Sequence, residues 1–218
     1  MLKFYYNPLS VNARRVWIAL LEKQIPFEAI LVNLDGGQFD ENFTAINPLQ
    51  RIPVIIDNGL RVVESLAILD YLEAKYPNPS LTKTDVEAIA IIRMVEMVAV
   101  VELQPATIPL TRQLVGLETD SKKIDNARDQ VNKILRFYEN LFQGNSYFVG
   151  EEMTLADIVG GTLVASLPMF GFSLDAYPKL EAWLQKLALR ESWQQTIPQP
   201  ELIEAALPSI RNILERRS

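Results

Sequence analysis

The 218-residue sequence contains no cysteine and no histidine. Without cysteine there is no disulfide, no thiolate metal ligand and no cysteine nucleophile. Without histidine there is no Ser-His-Asp triad and no imidazole-bound metal. Long hydrophobic runs are also missing. The best stretch, Val95 to Leu103, is broken by Glu96 and Glu102 and falls well short of the roughly 20 residues that cross a bilayer. The N-terminus, Met-Leu-Lys-Phe-Tyr-Tyr-Asn-Pro, lacks the charged-then-apolar pattern of a secretory signal. A soluble cytoplasmic protein that does not engage a membrane is expected. Positive charge is in deficit, with 21 Lys and Arg against 27 Asp and Glu, a formal net charge of −6. An acidic surface repels phosphate backbones, so a nucleic-acid partner is not expected. The one basic cluster, Arg211 with Arg216 and Arg217, reads as the last turn of a helix, where cations suit the dipole. Chemistry is left to Ser, Tyr, Arg, carboxylates, backbone donors or a bound cofactor, with no metal expected.

About half of the chain is hydrophobic, 49%, enough for one large domain or two small ones. Residues 2–6 read as a strand, ended by Asn7-Pro8. From Asn12 to Lys23, Val16, Leu20 and Leu21 recur at helical spacing. Phe27 to Asn33 reads as a second strand, and Asp35-Gly36-Gly37 opens a long polar loop. Ile52 to Asp57 and Leu60 to Val63 flank Asn58-Gly59, a hairpin signal. Ser65 then begins a helix with Ile68, Leu69, Leu72 and Tyr76 on one face. This order predicts an α/β domain of thioredoxin-like βαβββα type over residues 1–77. Residues 78–86, rich in Pro, Ser and Thr, read as a linker. Residues 87–218 form an all-helical domain: one long segment from Asp85 to about Gly116 bent at Pro105 and Pro109, then Asp120 to Phe142, Thr154 to Leu167, Lys179 to Arg190 and Pro200 to Arg217. No internal repeat or low-complexity segment is apparent. Thr154 and Asp157 stand in capping-box spacing, with Met153 and Ile158 at the staple positions. Replacing Asp157 by Ala is expected to cost about 1 kcal/mol or more.

Four stretches, in order, resemble the cytosolic glutathione transferases, with a theta-like or phi-like, serine-type cast. They are Asn7-Pro-Leu-Ser-Val-Asn-Ala-Arg-Arg-Val, Asn47-Pro-Leu-Gln-Arg-Ile-Pro-Val followed by Val63-Glu-Ser-Leu-Ala-Ile, Thr154-Leu-Ala-Asp-Ile, and Tyr177-Pro-Lys-Leu-Glu-Ala-Trp. The resemblance implies glutathione as co-substrate and assigns residues to it. Pro53 matches a cis-proline that turns the Ile52 backbone toward the cysteinyl part of the peptide. Glu64 would take the γ-glutamyl ammonium. Ser65, read as the N-cap of its helix, would take the carboxylate. Arg51 would meet the glycyl carboxylate, with Gln38 beside it where theta-like relatives often carry His.

The family activates the thiol from a Tyr, Ser or Cys near the end of the first strand, and cysteine is absent here. Ser10 stands before Arg14-Arg15-Val16 at the spacing of the serine classes. Tyr5, Asn12 and Arg14 are the alternatives. A helix-capping serine and a half-buried strand tyrosine are the plain structural readings. Met97, Val101, Pro105, Met169 and Phe170 are candidates for an apolar wall facing a small hydrophobic electrophile. The implied activity is conjugation of glutathione to such electrophiles, or reduction of organic hydroperoxides, by a homodimer. The alternative is a non-catalytic protein of the same fold that binds partner proteins or hydrophobic ligands.

Overall fold

A computed structural model describes residues 1–34 and 36–216. By contacts the chain divides into two compact units, one of residues Met1–Ser80 together with the stretch from Ser192 onward, the other of Leu81–Glu191.

In the first unit, β1 (Leu2–Tyr6), β2 (Phe27–Leu31), β3 (Val54–Asp57) and β4 (Leu60–Val63) form a sheet of order β2-β1-β3-β4. β1 runs parallel to β2, and both the β1–β3 and β3–β4 pairs are antiparallel. The expected hairpin turn is present: Asn58 and Gly59 both have positive φ, 50° and 85°, the backbone that matches the twist of two paired strands. One face of the sheet is covered by α1 (Val11–Glu22) and α3 (Ser65–Lys75), which bury Val16, Ala19 and Leu20 and Ile68, Leu69 and Leu72. The other face carries a core of Val32, Phe43 and Val54, with Tyr5, Ile46, Ile52 and Val63 packed on it. Phe43 comes from α2 (Glu41–Ile46), a helix inside the stretch expected to be loop. Its six residues bury one side chain, too little for a periodic signal. A 3-10 turn, Gly37–Phe39, precedes it; Asp35, read as opening that loop, lies outside the described residues.

Lys23, at the end of α1, is buried, pairs with Glu73 of α3, and donates to the Pro79 carbonyl at 2.7 Å. The last two helices differ from the expected division, which placed them with the helical half. In α9 (Glu191–Thr196), Ser192 Oγ donates to Glu22 at 2.5 Å and Thr196 Oγ1 accepts from Arg14 Nε at 3.4 Å. In α10 (Pro200–Arg216), the Arg216 guanidinium lies 5.0 Å from the centre of the Phe39 ring. Arg217, grouped with it in the basic cluster, is outside the described residues.

The second unit holds α4 (Val86–Met97), α5 (Gln104–Leu114), α6 (Ser121–Leu141), α7 (Leu155–Val164) and α8 (Pro178–Ala188). The long segment expected to bend at its prolines instead changes pitch before them, through a π-helical stretch at Val98–Leu103. Pro105 has no N–H for the carbonyl four residues back, and its ring would crowd it; a widened turn just upstream relieves both. Thr107 and Thr111 hydroxyls donate to the Gln104 and Thr107 carbonyls at 2.7 and 2.8 Å, using acceptors around the second proline. Every residue of α7 is buried. A Cβ on Gly160 would stand 3.3 Å from both Phe148 and Val95, so any larger residue there would press on the side chains between α4 and α7.

The capping box at Thr154 and Asp157 is present, and it does more than cap. Asp157 is fully buried. Its Oδ2 accepts from Thr154 N and Oγ1 at 2.8 and 2.9 Å, and its Oδ1 accepts from Phe148 N at 3.0 Å and Trp183 Nε1 at 2.9 Å. Burial pushes the carboxyl pKa up, and these four donors pull against it. One carboxylate therefore joins the start of α7, the preceding loop and α8. Asp157→Ala would leave four buried donors unpaired, so the expected loss rises to about 3 kcal/mol or more. Urea unfolding followed by Trp fluorescence measures it.

Candidate functional site

The segment carrying Ser10 is built by an asparagine. Asn7 is buried; its Nδ2 donates to the Val32 carbonyl at 3.0 Å, and its Oδ1 accepts from Leu9 N at 3.0 Å. Its carbonyl accepts from Ser10 N at 3.0 Å. Pro8 occupies the position of this turn that favours its fixed φ. Ser10 is the N-cap of α1, in extended backbone (φ −85°, ψ 111°), and its Oγ accepts from Ala13 N at 3.2 Å. The capping reading of Ser10 is thus correct as local structure. It leaves the hydroxyl hydrogen without a protein acceptor among the described residues.

The other candidates on this turn differ in environment. Tyr5 lies on the opposite side of the strand from Phe4 and Tyr6, and its ring tilts against Phe43 at 6.2 Å. Asn12 is half-buried, with its Oδ1 buried and unbonded. Arg14 is 9% exposed and sits over the Trp193 ring at 5.1 Å.

The second segment repeats the device. Asn47 is buried; its Nδ2 donates to the Arg51 carbonyl at 2.7 Å, its Oδ1 accepts from Leu49 N at 3.0 Å, and its carbonyl accepts from Gln50 N at 2.9 Å. Asn7-Pro8-Leu9 and Asn47-Pro48-Leu49 are the same tripeptide, each with the side-chain turn that asparagine makes two residues ahead. The turn at Asn47 delivers the Arg51 side chain to solvent, Ile52 half-buried and Pro53 buried at the start of β3, with the Ile52–Pro53 peptide cis. Gln38, in the 3-10 turn, is 3% exposed with an unbonded Oε1.

At the start of α3 the expected cap shifts by one residue. Glu64, not Ser65, is the N-cap, and its side chain makes no capping bond. Glu64 has φ +69°, a conformation that costs a non-glycine residue on the order of 1–3 kcal/mol. It is exposed, while Ser65, the first helical residue, is buried and accepts from Arg15 Nη1 at 3.4 Å. The first backbone donors of an α-helix have no partner within it. With Arg15 beneath them, they make this end receptive to an anion.

In the second unit, Met97, Val101 and Pro105 follow at four-residue intervals and are exposed. Met169 is exposed and Phe170 half-buried in a 3-10 turn, Leu167–Phe170, that packs on α5. Arg128 of α6 holds that turn, donating to the Phe170 carbonyl at 3.1 Å and lying over the Phe172 ring. Among the described residues no group of three or more His, Cys, Asp or Glu could hold a metal ion, and no helix is long and apolar enough to cross a membrane.

Residues 4–80 match the family of the glutathione S-transferase N-terminal domain, and residues 98–191 that of the C-terminal domain. The chain belongs to the glutathione S-transferase family. Maleylacetoacetate isomerase of Rattus norvegicus is 33% identical over 191 residues, covering 84% of this chain and 86% of its own. Glutathione S-transferase 3 of Zea mays is 33% identical over 209 residues, covering 90% and 93%. Among solved structures, the holo form of a maleyl pyruvate isomerase, described as a bacterial zeta-class glutathione S-transferase, superposes with a TM-score of 0.78 at 26% identity, over 91% of this chain and 98% of that one.

In this transferase-family chain, sequence reasoning missed the positioning roles of Asn7, Asn47 and Arg15. The signal for the first two was present, a repeated Asn-Pro-Leu, its asparagine three residues ahead of Ser10 in one copy and four ahead of Arg51 in the other. Asn7→Ala and Asn47→Ala each strip a backbone carbonyl and an N–H of their partner. Each is expected to cost about 1–3 kcal/mol in chemical denaturation, with Asn→Asp between, since it keeps the acceptor and loses the donor.

Proposed function

We propose that the protein is a serine-type glutathione transferase, in which Ser10 holds the glutathione sulfur as a thiolate for attack on a small hydrophobic electrophile. The observation that carries this reading is the Ser10 hydroxyl, set at the N-terminus of α1 with its proton uncommitted to the protein. A free cysteine thiol has a pKa of about 8.5, so roughly 3% is thiolate at neutral pH. A hydroxyl donated to the sulfur, with the helix end behind it, favours the anion. A depression of about two units makes thiolate the main form and corresponds to roughly 2.7 kcal/mol.

The rest of the peptide has matching partners. The Ile52 backbone pairs with the cysteinyl unit as an added strand would. The γ-glutamyl end is an ammonium beside a carboxylate; Glu64 meets the first, and Ser65 with the opening N–H groups of α3 the second. Arg51, exposed and with an unpaired side chain among the described residues, suits the glycyl carboxylate, and Gln38 is assigned to the same end. Met97, Val101, Pro105, Met169 and Phe170 supply apolar surface for the electrophile. The thiolate then forms the C–S bond as the leaving group departs with its electron pair. With an organic hydroperoxide, the thiolate instead attacks the terminal peroxide oxygen and breaks the O–O bond; the alkoxide takes up a proton to leave as the alcohol, and the glutathione sulfenic acid formed reacts with a second glutathione to give the disulfide and water.

The two relatives named as isomerases favour a second reading of the same site. A thiolate that adds to a cis double bond leaves a single bond free to rotate; its departure restores the double bond as trans and regenerates glutathione. A homodimer is also proposed, supported by exposed Val86, Ile89 and Met94 on α4.

Ultraviolet difference spectra of glutathione mixed with the protein at neutral pH test the core of the reading. A thiolate band is expected in the wild type, lost in Ser10→Ala and kept in Tyr5→Phe. Glutathione binding with no band would make the protein a ligand carrier. Sedimentation at micromolar concentration is expected to give the mass of two chains, and a monomer would refute the dimer.

A further inference from the structure

Arg14 is a buried cation without a counter-charge. It is 9% exposed, yet the only hydrogen bond of its side chain to the protein among the described residues is the long one from Nε to Thr196 Oγ1, 3.4 Å. Its other contact is the face of Trp193, at 5.1 Å. The Trp193 indole N–H is itself buried with no acceptor, so the immediate surroundings offer donors rather than negative charge. No carboxylate among the described residues forms a hydrogen bond or ion pair with Arg14. Glu22, two turns down α1, accepts from Ser192. Glu73 of α3 pairs with Lys23. Asp70 of α3 and Glu191 at the start of α9 are exposed. The nearest other ionisable group on α1 is Arg15, also a cation, spent on Ser65.

Such a charge is costly to bury and ordinarily acquires a partner. Burial moves the Arg14 pKa down only to about 10, so it stays charged at neutral pH. Its location says which anion could compensate it. Arg14 stands four residues after Ser10, and its N–H donates to the Ser10 carbonyl at 2.8 Å. Helical side chains lean toward the N-terminus of their helix, and for Arg14 that end is the turn that presents the Ser10 hydroxyl.

We infer that Arg14, clamped by Trp193 and Thr196 of α9, is the cation whose field holds the sulfur of bound glutathione as thiolate, with Ser10 supplying the local hydrogen bond. This rests on the transferase reading above. It separates two roles that one serine could not fill alone. The hydroxyl orients the sulfur; the guanidinium, unneutralised by any carboxylate, favours the charged form. It also assigns α9, the short helix that folds with the first unit, a part in the chemistry.

The test is the thiol pKa of protein-bound glutathione, read from the thiolate absorbance as pH is varied at saturating glutathione. Arg14→Met is expected to raise that pKa by about one unit, lowering the thiolate fraction near neutrality up to about tenfold. Arg14→Lys keeps the charge and is expected to stay close to wild type. Because Arg14→Met removes a buried charge and breaks no ion pair, its Tm is expected to be unchanged or higher. If Arg14→Met does not fold, Arg14→Gln is read in the same way. An unchanged pKa in the neutral variant, or an equal rise in Arg14→Lys, would overturn the inference while leaving the transferase reading intact. A wild-type protein that binds glutathione with no thiolate band would remove both.

Discussion

Everything that points at the proposed glutathione site hangs on two side-chain amides. A turn that leaves one element and enters the next within a few residues strands its backbone polar groups, and each one buried without a partner is costly. Asn7 and Asn47 both accept from the N–H two residues ahead and donate to a backbone carbonyl, Asn7 to that of Val32 just past β2 and Asn47 to that of Arg51 across its own turn. The first fixes where α1 begins and so where Ser10 stands. The second fixes the approach of Arg51, Ile52 and Pro53 to β3. With both turns satisfied internally, the groups facing solvent are free to serve a ligand.

The helix ends and cations around these turns share a sign. The N-terminal ends of α1 and α3, Arg14, Arg15 and Arg51 gather positive potential in the first unit of a chain whose net charge is −6. Glu64 is the local exception, exposed at a strained backbone position that a packing role would not require. A tripeptide with two carboxylates, a nascent thiolate and one ammonium is the mirror of that pattern. The acidic remainder of the surface narrows where such an anion is drawn.

How far the sequence could be read tracks the range of the interactions involved. β1 and β4 lie where the aromatic run and the Asn58-Gly59 turn put them, because a strand between turn residues is a local event. The capping box was legible for the same reason. Its partners were not: Trp183 lies 26 residues beyond Asp157, and no spacing rule links them. Arg14 and Thr196 are 182 residues apart, so the burial of Arg14 is invisible in the sequence, which offers it as an alternative to Ser10 from its place in the turn alone. α2 was too short to show a period. The cap of α3 was assigned to Ser65 because serine prefers that position, whereas the backbone at Glu64 turns one residue earlier. The resemblance supplied the cis peptide at Pro53, which base rates alone would not have chosen.

The widened turn between α4 and α5 also sets angular phase. Residues four apart on an α-helix creep round the axis, since four exceeds the 3.6 residues of a turn. A π turn holds more residues and sends the creep the other way. Inserted at Val98–Leu103, it cancels part of the drift between the helices on either side. Met97, Val101 and Ile108, each about half exposed, are thereby kept as a strip along the helix pair instead of a spiral around it. The prolines that oblige the backbone to widen thus also keep an apolar seam straight.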